Sequence, residues 1–487
     1  MDGMAEGDCH NVLGMGYFPY PNLAAQLSGD PILQTYSKMY LEKSGKYSTR
    51  AFLYHNPSIP SKPIEELKLS RFFPSPSGIM IARTKWDTDQ HDYSSKAMVV
   101  LMNMREYSTK NHQHLDNGHF SIYYKGHLAL DAGIYQGSDP NNGWGLPNYV
   151  NYYARTVAHN SVLILDPNEP YPFEGWDKRA QSRDGGQFSF SNHAWNSSQE
   201  MFAAGKSAQV LANDISDGVE PEYSYLKGDM TRAYNCPVNV ETYAPKADTV
   251  RRSFVFLNLK SDIIPGVLIV MDKIVSTNAS FKKTWLLHSQ NEPILKNGSI
   301  EFESTANGRN GKLHNDILLP EGNNQNLAKI GGPGKEYWVD GKNWGTVTQE
   351  DAGRWRIELS PKNASKSDNF LNVIQVMDAT PAQNPLKVTK ATATKGKYIA
   401  LSVGDRIVAQ QLTLDRNNGE VEFTLGEKQK SYKVLITDLQ TGKWLITTSS
   451  GKTEAMVSDA TGTAYFDCKG GKINLQLKDT TNNRQTK

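Results

Sequence analysis

Residues 281–304 read FKKTWLLHSQNEPILKNGSIEFES. Apolar and aromatic side chains gather in runs of strand length, and Asn297–Gly298 falls between two of them as a two-residue turn signal. The stretch reads as consecutive hairpins. Similar runs lie on either side: KAMVVLMNM at 96–104, NSVLILDP at 160–167, RRSFVFLNL at 251–259 and GVLIVMDKIV at 266–275, each bounded by Gly, Asn, Asp or Pro. So many short strands, with almost nothing helical between them, predict a large antiparallel β-sandwich instead of βαβ units.

Upstream the texture differs. In PILQTYSKMYLEK (31–43), Ile32, Leu33, Tyr36, Met39 and Tyr40 recur at helical intervals behind Asp30, which predicts a short helix. A proline-rich connector follows over 47–69. Turn residues cluster again in DATPAQNPLKV (378–388), after which the strands alternate more openly. The expected organisation is a helical segment and linker over 1–70, a central β-sandwich over 71–380 and a smaller C-terminal β-domain over 381–487. The fold class is mainly β.

Bulk properties exclude several functions. Lys and Arg number 53 against 51 Asp and Glu, so no global field draws the chain to nucleic acid or a membrane; a local basic groove stays open. Cys9, Cys236 and Cys468 are too far apart for a cysteine zinc site or a disulfide scaffold. The longest apolar run, Ile263–Met271, is broken by Pro265 and falls far short of the ~20 residues of a spanning helix. The first residues lack a basic and then apolar leader. The expectation is either a cytoplasmic protein or a chain that begins inside a longer natural product.

Chemistry concentrates in NHQHLDNGHFSIYYKGHLALDAG, residues 111–133. On a strand, alternate side chains share a face, so HQH would project His112 and His114 together. Asp131 lies across the YYKGH turn, and His159 precedes the strand SVLIL. Two imidazoles, a carboxylate and a third imidazole from elsewhere make a zinc-type donor set. A single sheet histidine is more often a half-buried side chain satisfied by carbonyls; the combination points to metal. The aromatic run YVNYYAR (149–155) suits packing better than sugar stacking. Lys227 and Arg232, in EYSYLKGDMTRAY, read as a solvated strand face. IGGPGK at 330–335 lacks the strand-to-helix context of a phosphate loop, and neither a GxSxG elbow nor a cysteine with a partner histidine is present.

Six ordered blocks resemble a known family: HQHLDNGHFSIYYKGHLALDAGIYQG, RTVAHNSVLILDP, YSYLKGDMTRAY, RRSFVFLNL, FKKTWLLHS and FLNVIQVMD. Together they are similar to the heparinase II/III-like polysaccharide lyases, most of all the heparinase II branch, which acts on heparin and heparan sulfate. The resemblance implies that His114, Asp131 and His159 hold one structural Zn²⁺ per chain. It also implies that His112 is catalytic and that a tyrosine of the following loop lines the cleft. Tyr149 is chosen for that role over Tyr135 or Tyr152. It further implies an acidic polysaccharide substrate, bacterial periplasmic or secreted location, and chains that can form a homodimer through their β-domains.

The implied reaction removes the C5 proton of a uronic acid and expels the 4-linked oxygen, leaving a 4,5-unsaturated uronate. It needs a neutraliser for the carboxylate, a base for C5 and an acid for the leaving oxygen. Family members begin with a large α/α toroid that supplies the other cleft wall and a principal catalytic tyrosine. Only about seventy residues precede the β-region here, which reads as a remnant of that toroid. The alternatives to a heparin/heparan sulfate lyase are therefore a zinc-stabilised polysaccharide-binding module, or a lyase for chondroitin or alginate.

Overall fold

The computed structural model describes residues 20–44, 49–87, 93–107, 113–133, 147–171, 179–188, 197–235, 243–345 and 352–478. It opens with three short helices, Tyr20–Ser28, Pro31–Ser44 and Thr49–Tyr54. Asp30 caps the second, its carboxylate accepting from the amides of Ile32 at 2.7 Å and Leu33 at 3.2 Å. Pro31 takes the first helical position, where a missing amide donor costs nothing. The helix stands where the apolar spacing predicts it, one residue longer.

From Ser70 onward the chain is mainly β. An eight-stranded antiparallel sheet has Gly266–Ser276 near its middle, between Ser367–Asp378 and Ala247–Asn258. Two four-stranded sheets face it: one made of Ser70–Phe73, Ile79–Arg83, Val99–Asn103 and Phe120–Tyr123, the other of Gln325–Gly331, Trp355–Pro361, Lys282–Ser289 and Val162–Leu165. Between the layers Met80, Val100, Phe120, Trp285, Phe254 and Ile374 form one continuous core.

The opening stretch divides between the layers. Lys282–Ser289 joins a small sheet, whereas Ile294–Lys296 and Ser299–Ser304 form a hairpin at the edge of the large one. The predicted turn is there, with Gly298 at φ +80° between paired Lys296 and Ser299. The expected second hairpin is instead a crossover, and Pro293, which cannot donate to a ladder, sits where the chain leaves one layer for the other.

The C-terminal module is a second sandwich, of a five-stranded sheet containing Tyr398–Val403 and Arg406–Gln411 and a four-stranded sheet containing Gly442–Thr448 and Gly471–Leu477. Phe423, Trp444, Ile446 and Ile473 fill it. Its five-stranded sheet lies on the outer face of the eight-stranded one, where Val255, Ile269 and Val373 pack with Ile399, Leu401 and Val408. Burial on both faces explains why Gly266–Ser276 reads as an unbroken apolar run and not as an alternating one.

Polar anchors fix that interface. Lys227 and Lys273 both donate to the buried carboxylate of Asp438, and Arg406 reaches Glu222 at 2.6 Å and the Asn258 carbonyl at 2.9 Å. Lys227 is thus buried, contrary to the solvated face expected of it. The reason is tertiary: its strand is covered by the C-terminal module, whose Asp438 lies 211 residues away in sequence.

Candidate metal centre

His114, Asp131 and His159 meet at one point, and all three are buried. Each lies in an irregular stretch beside a strand of the small sheets. His114 leads into Phe120–Tyr123, Asp131 follows the return of that strand, and His159 closes the 3-10 turn Thr156–Ala158 before Val162–Leu165. The expectation that the HQH stretch is itself strand is not met at His114. A turn at Asp116–His119, with Gly118 at φ +79° and the His119 amide donating to Asp116 at 2.9 Å, bends the chain before the ladder begins.

One donor atom from each residue falls within a mutual 4.8 Å. His114 Nδ1 is 3.2 Å from His159 Nε2, and His159 Nε2 is 3.3 Å from Asp131 Oδ1. Tetrahedral zinc with bonds of ~2.0–2.1 Å sets its ligand atoms about 3.3 Å apart, so the set fits such an ion. His159 Nδ1 lies 2.7 Å from the Arg155 carbonyl; donating there, it leaves the Nε2 lone pair directed at the cluster. This is the arrangement by which an outer carbonyl fixes a ligand tautomer. Asp131 Oδ1 also accepts from the Gly133 amide at 2.6 Å. Gly133 has no room for a side chain: a Cβ would stand 2.3 Å from the Tyr153 carbonyl oxygen and 2.9 Å from Asp131 Oδ1.

Burial would raise the Asp131 pKa, but His159 outweighs it and holds the carboxyl well below its usual range. Burial opposes a charged His159, yet the Asp131 carboxylate pushes it up to about 9. A cationic occupant satisfies the same imbalance of charge.

The support around the cluster is polar and enclosed. Arg155 is fully buried, pairs with Asp184 and donates to the carbonyls of Val150 at 3.2 Å and Ser182 at 3.1 Å. Asp184 in turn accepts from the amides of Val157 at 3.1 Å and Gly186 at 3.0 Å. Asn160 donates to the carbonyls of Phe120 at 2.8 Å and Leu130 at 3.1 Å, and accepts from the His288 amide at 2.7 Å. One amide therefore ties all three ligand-bearing segments to the strand of Trp285. His119 is adjacent but engaged elsewhere: its Nδ1 accepts from the Asn160 amide and its Nε2 meets Ser121 Oγ, both at 2.9 Å.

Tyr149 is buried in a π-helical turn, Tyr149–Tyr153, with its ring centroid 6.1 Å from that of His114. Tyr152 and Tyr153 pack on Tyr337 at 5.1 and 5.4 Å, so the aromatic run serves packing, as its composition suggested. His112 and Tyr135 lie outside the described residues. Tyr107 pairs with Lys206 and its carbonyl accepts from Gln113 at 2.8 Å. Beside this pairing is a pocket of about 440 Å³ lined by Lys206, Gln209, Asp229, Thr231, Arg232 and Asn235. Arg155, Asp184 and Asn160 escape sequence reading because nothing in their local pattern separates a buried polar clamp from a loop.

Residues 392–477 match the family model of the heparinase II C-terminal domain. Among solved structures, a mutant of the heparan sulfate lyase HepC from Pedobacter heparinus is 15% identical, the match covering 78% of this chain and 48% of that one at a TM-score of 0.45. For heparinase III the figures are 11%, 77% and 47% at 0.42. For a Paenibacillus xanthan lyase they are 9%, 98% and 46% at 0.40. The chain spans about half the length of these solved structures. No curated protein matches it. Among the described residues, no helix is long and apolar enough to cross a membrane.

Proposed function

We propose that this chain acts on heparin or heparan sulfate as a polysaccharide lyase, by β-elimination at a uronic acid. The observation that carries the reading is the convergence of His114, Asp131 and His159 two residues from His112, in a chain whose C-terminal domain is of the heparinase II type. The three donors would hold one Zn²⁺, whose part is to brace the loops that bear the reacting groups.

In this reading His112 exchanges the proton at the sugar, since an imidazole changes charge near neutral pH. Tyr149, against the His114 ring, is the candidate second proton carrier. Lys206 and Arg232, which line the pocket beside Tyr107, are the cations proposed to neutralise the uronate carboxylate, without which its C5 proton is too weakly acidic to remove. A bacterial periplasmic or secreted setting and a homodimer are part of the same proposal.

Mass spectrometry of heparan sulfate fragments tests it. Elimination yields fragments lighter by one water than hydrolysis does, each with an unsaturated uronate at its new non-reducing end. Hydrolytic fragments, or intact chains after incubation with folded, zinc-loaded protein, would refute the reading.

A further inference from the structure

A second pocket, of about 430 Å³, lies against the outer edge of the sheet that begins with Ser70–Phe73. Its size is that of a small-molecule site, typically ~300–1,000 Å³. The sheet order Ser70–Phe73, Ile79–Arg83, Val99–Asn103, Phe120–Tyr123 puts three strand spacings between this edge and the strand that follows His119. At ~4.8 Å per spacing the two sites are about 14 Å apart or more, on different elements.

The register explains the lining. Arg71 pairs with Ile81, and Phe73 and Arg83 lie two residues along their strands, so all four side chains share the outer face while Met80 and Ala82 enter the core. Lys68 and Trp86 complete the walls, and no acidic side chain lines the pocket. The Arg83 guanidinium lies 3.9 Å over the Trp86 ring, and Arg71 lies 5.4 Å over that of Phe73. Trp86 is held by its indole N–H, which donates to the Leu67 carbonyl at 2.8 Å. Burial lowers the Arg83 pKa. Among the described residues, no carboxylate or carbonyl pairs with its guanidinium.

A partly desolvated guanidinium is ordinarily paired, because the charge loses hydration without compensation. Here the compensation would come from a ligand. We infer that this pocket binds an acidic sugar, with its carboxylate on Arg83 and Arg71 and its apolar ring face against Phe73 and the edge of Trp86. Three cations with no acid among them supply charge complementarity for an anion, and flat aromatic surface beside a planar guanidinium suits a sugar acid. The choice of a sugar as the anion rests on the proposed lyase function; the anion pocket itself does not. The site would hold a uronate of the polymer away from the metal centre, anchoring the chain during repeated cleavage.

The test is isothermal calorimetry on the full chain with a disaccharide whose non-reducing residue is glucuronate. That residue has a free 4-hydroxyl and no leaving group, so binding is read whether or not the protein is a lyase. Cellobiose is the neutral control. The wild type is expected to bind the acid and not cellobiose, R83Q to bind it roughly 10- to 100-fold more weakly, and R83K to fall between. R71Q is the second variant, should R83Q fail to fold, and is expected to weaken binding in the same direction. Equal affinity in the wild type and a folded R83Q or R71Q overturns the proposal. So does binding of cellobiose as tight as the acid, or absence of acid binding by the wild type, which would leave the pocket to a protein surface.

Discussion

The Nδ1 of His114 lies 3.2 Å from the Nε2 of His159, although 45 residues separate them in sequence. Two nitrogens at this spacing in an enclosed site, with the Asp131 carboxylate 3.3 Å from the second, make a donor set that an ion of tetrahedral preference would fill.

If the proposed site holds one zinc per chain, His114→Ala is expected to remove it, as read by elemental analysis, and to lower the melting temperature by several degrees. An ion present at a hundred times its dissociation constant contributes about 2.7 kcal/mol, and that contribution disappears with the ligand. His112→Ala is expected to keep the zinc and lose lyase activity. If the metal left with His112, the division between ligand and catalyst would be wrong.

Asp184→Ala leaves Arg155 charged and buried beside the ligand loop. The stability loss expected in chemical denaturation is about 3–5 kcal/mol, with zinc affinity lowered roughly 10- to 100-fold as the Arg155 carbonyl loses its anchorage. A loss under 1 kcal/mol would show that the loop is held by other contacts.

Tyr149→Phe separates packing from proton transfer. The ring remains against His114, so melting temperature and zinc content should stay near wild type. A role as acid or base predicts a fall in kcat of ~10²- to 10⁴-fold. Unchanged kcat would assign Tyr149 to packing alone.

Asp438 binds the two β-modules together through Lys227 and Lys273. Burial would raise its pKa, but the two ammonium groups outweigh that and hold it below the ordinary carboxylate range. A carboxylate lowered in the folded state contributes stability that is complete above its unfolded pKa, near 3.9, and is lost as pH falls below that value. The C-terminal module should therefore become protease-sensitive below about pH 4, and Asp438→Ala should bring the same sensitivity to neutral pH. An interface as resistant in the variant as in the wild type would contradict this.

What was legible in the sequence follows from the range of the forces involved. Strand runs, the Asn297–Gly298 turn and the Asp30-capped helix are local, and each is found in place. The convergence of His114, Asp131 and His159 was legible because histidine and aspartate at strand intervals are chemically distinctive, although His114 sits just before a turn and not on a strand. The burial of Lys227 was not legible, since Asp438 reaches it from 211 residues away. Nor was the pocket at Arg83 and Trp86: a strand arginine looks solvated until its pairing partners are seen to be missing from the described residues around it.

The most direct test of the central claim is ultraviolet absorbance of the unsaturated uronate while the zinc-loaded chain is incubated with heparin, heparan sulfate and chondroitin sulfate in turn. The account predicts a steady rise on heparin or heparan sulfate that is absent with His112→Ala. A rise on chondroitin sulfate alone would contradict the substrate, and no rise on any polymer from folded protein would contradict the lyase itself.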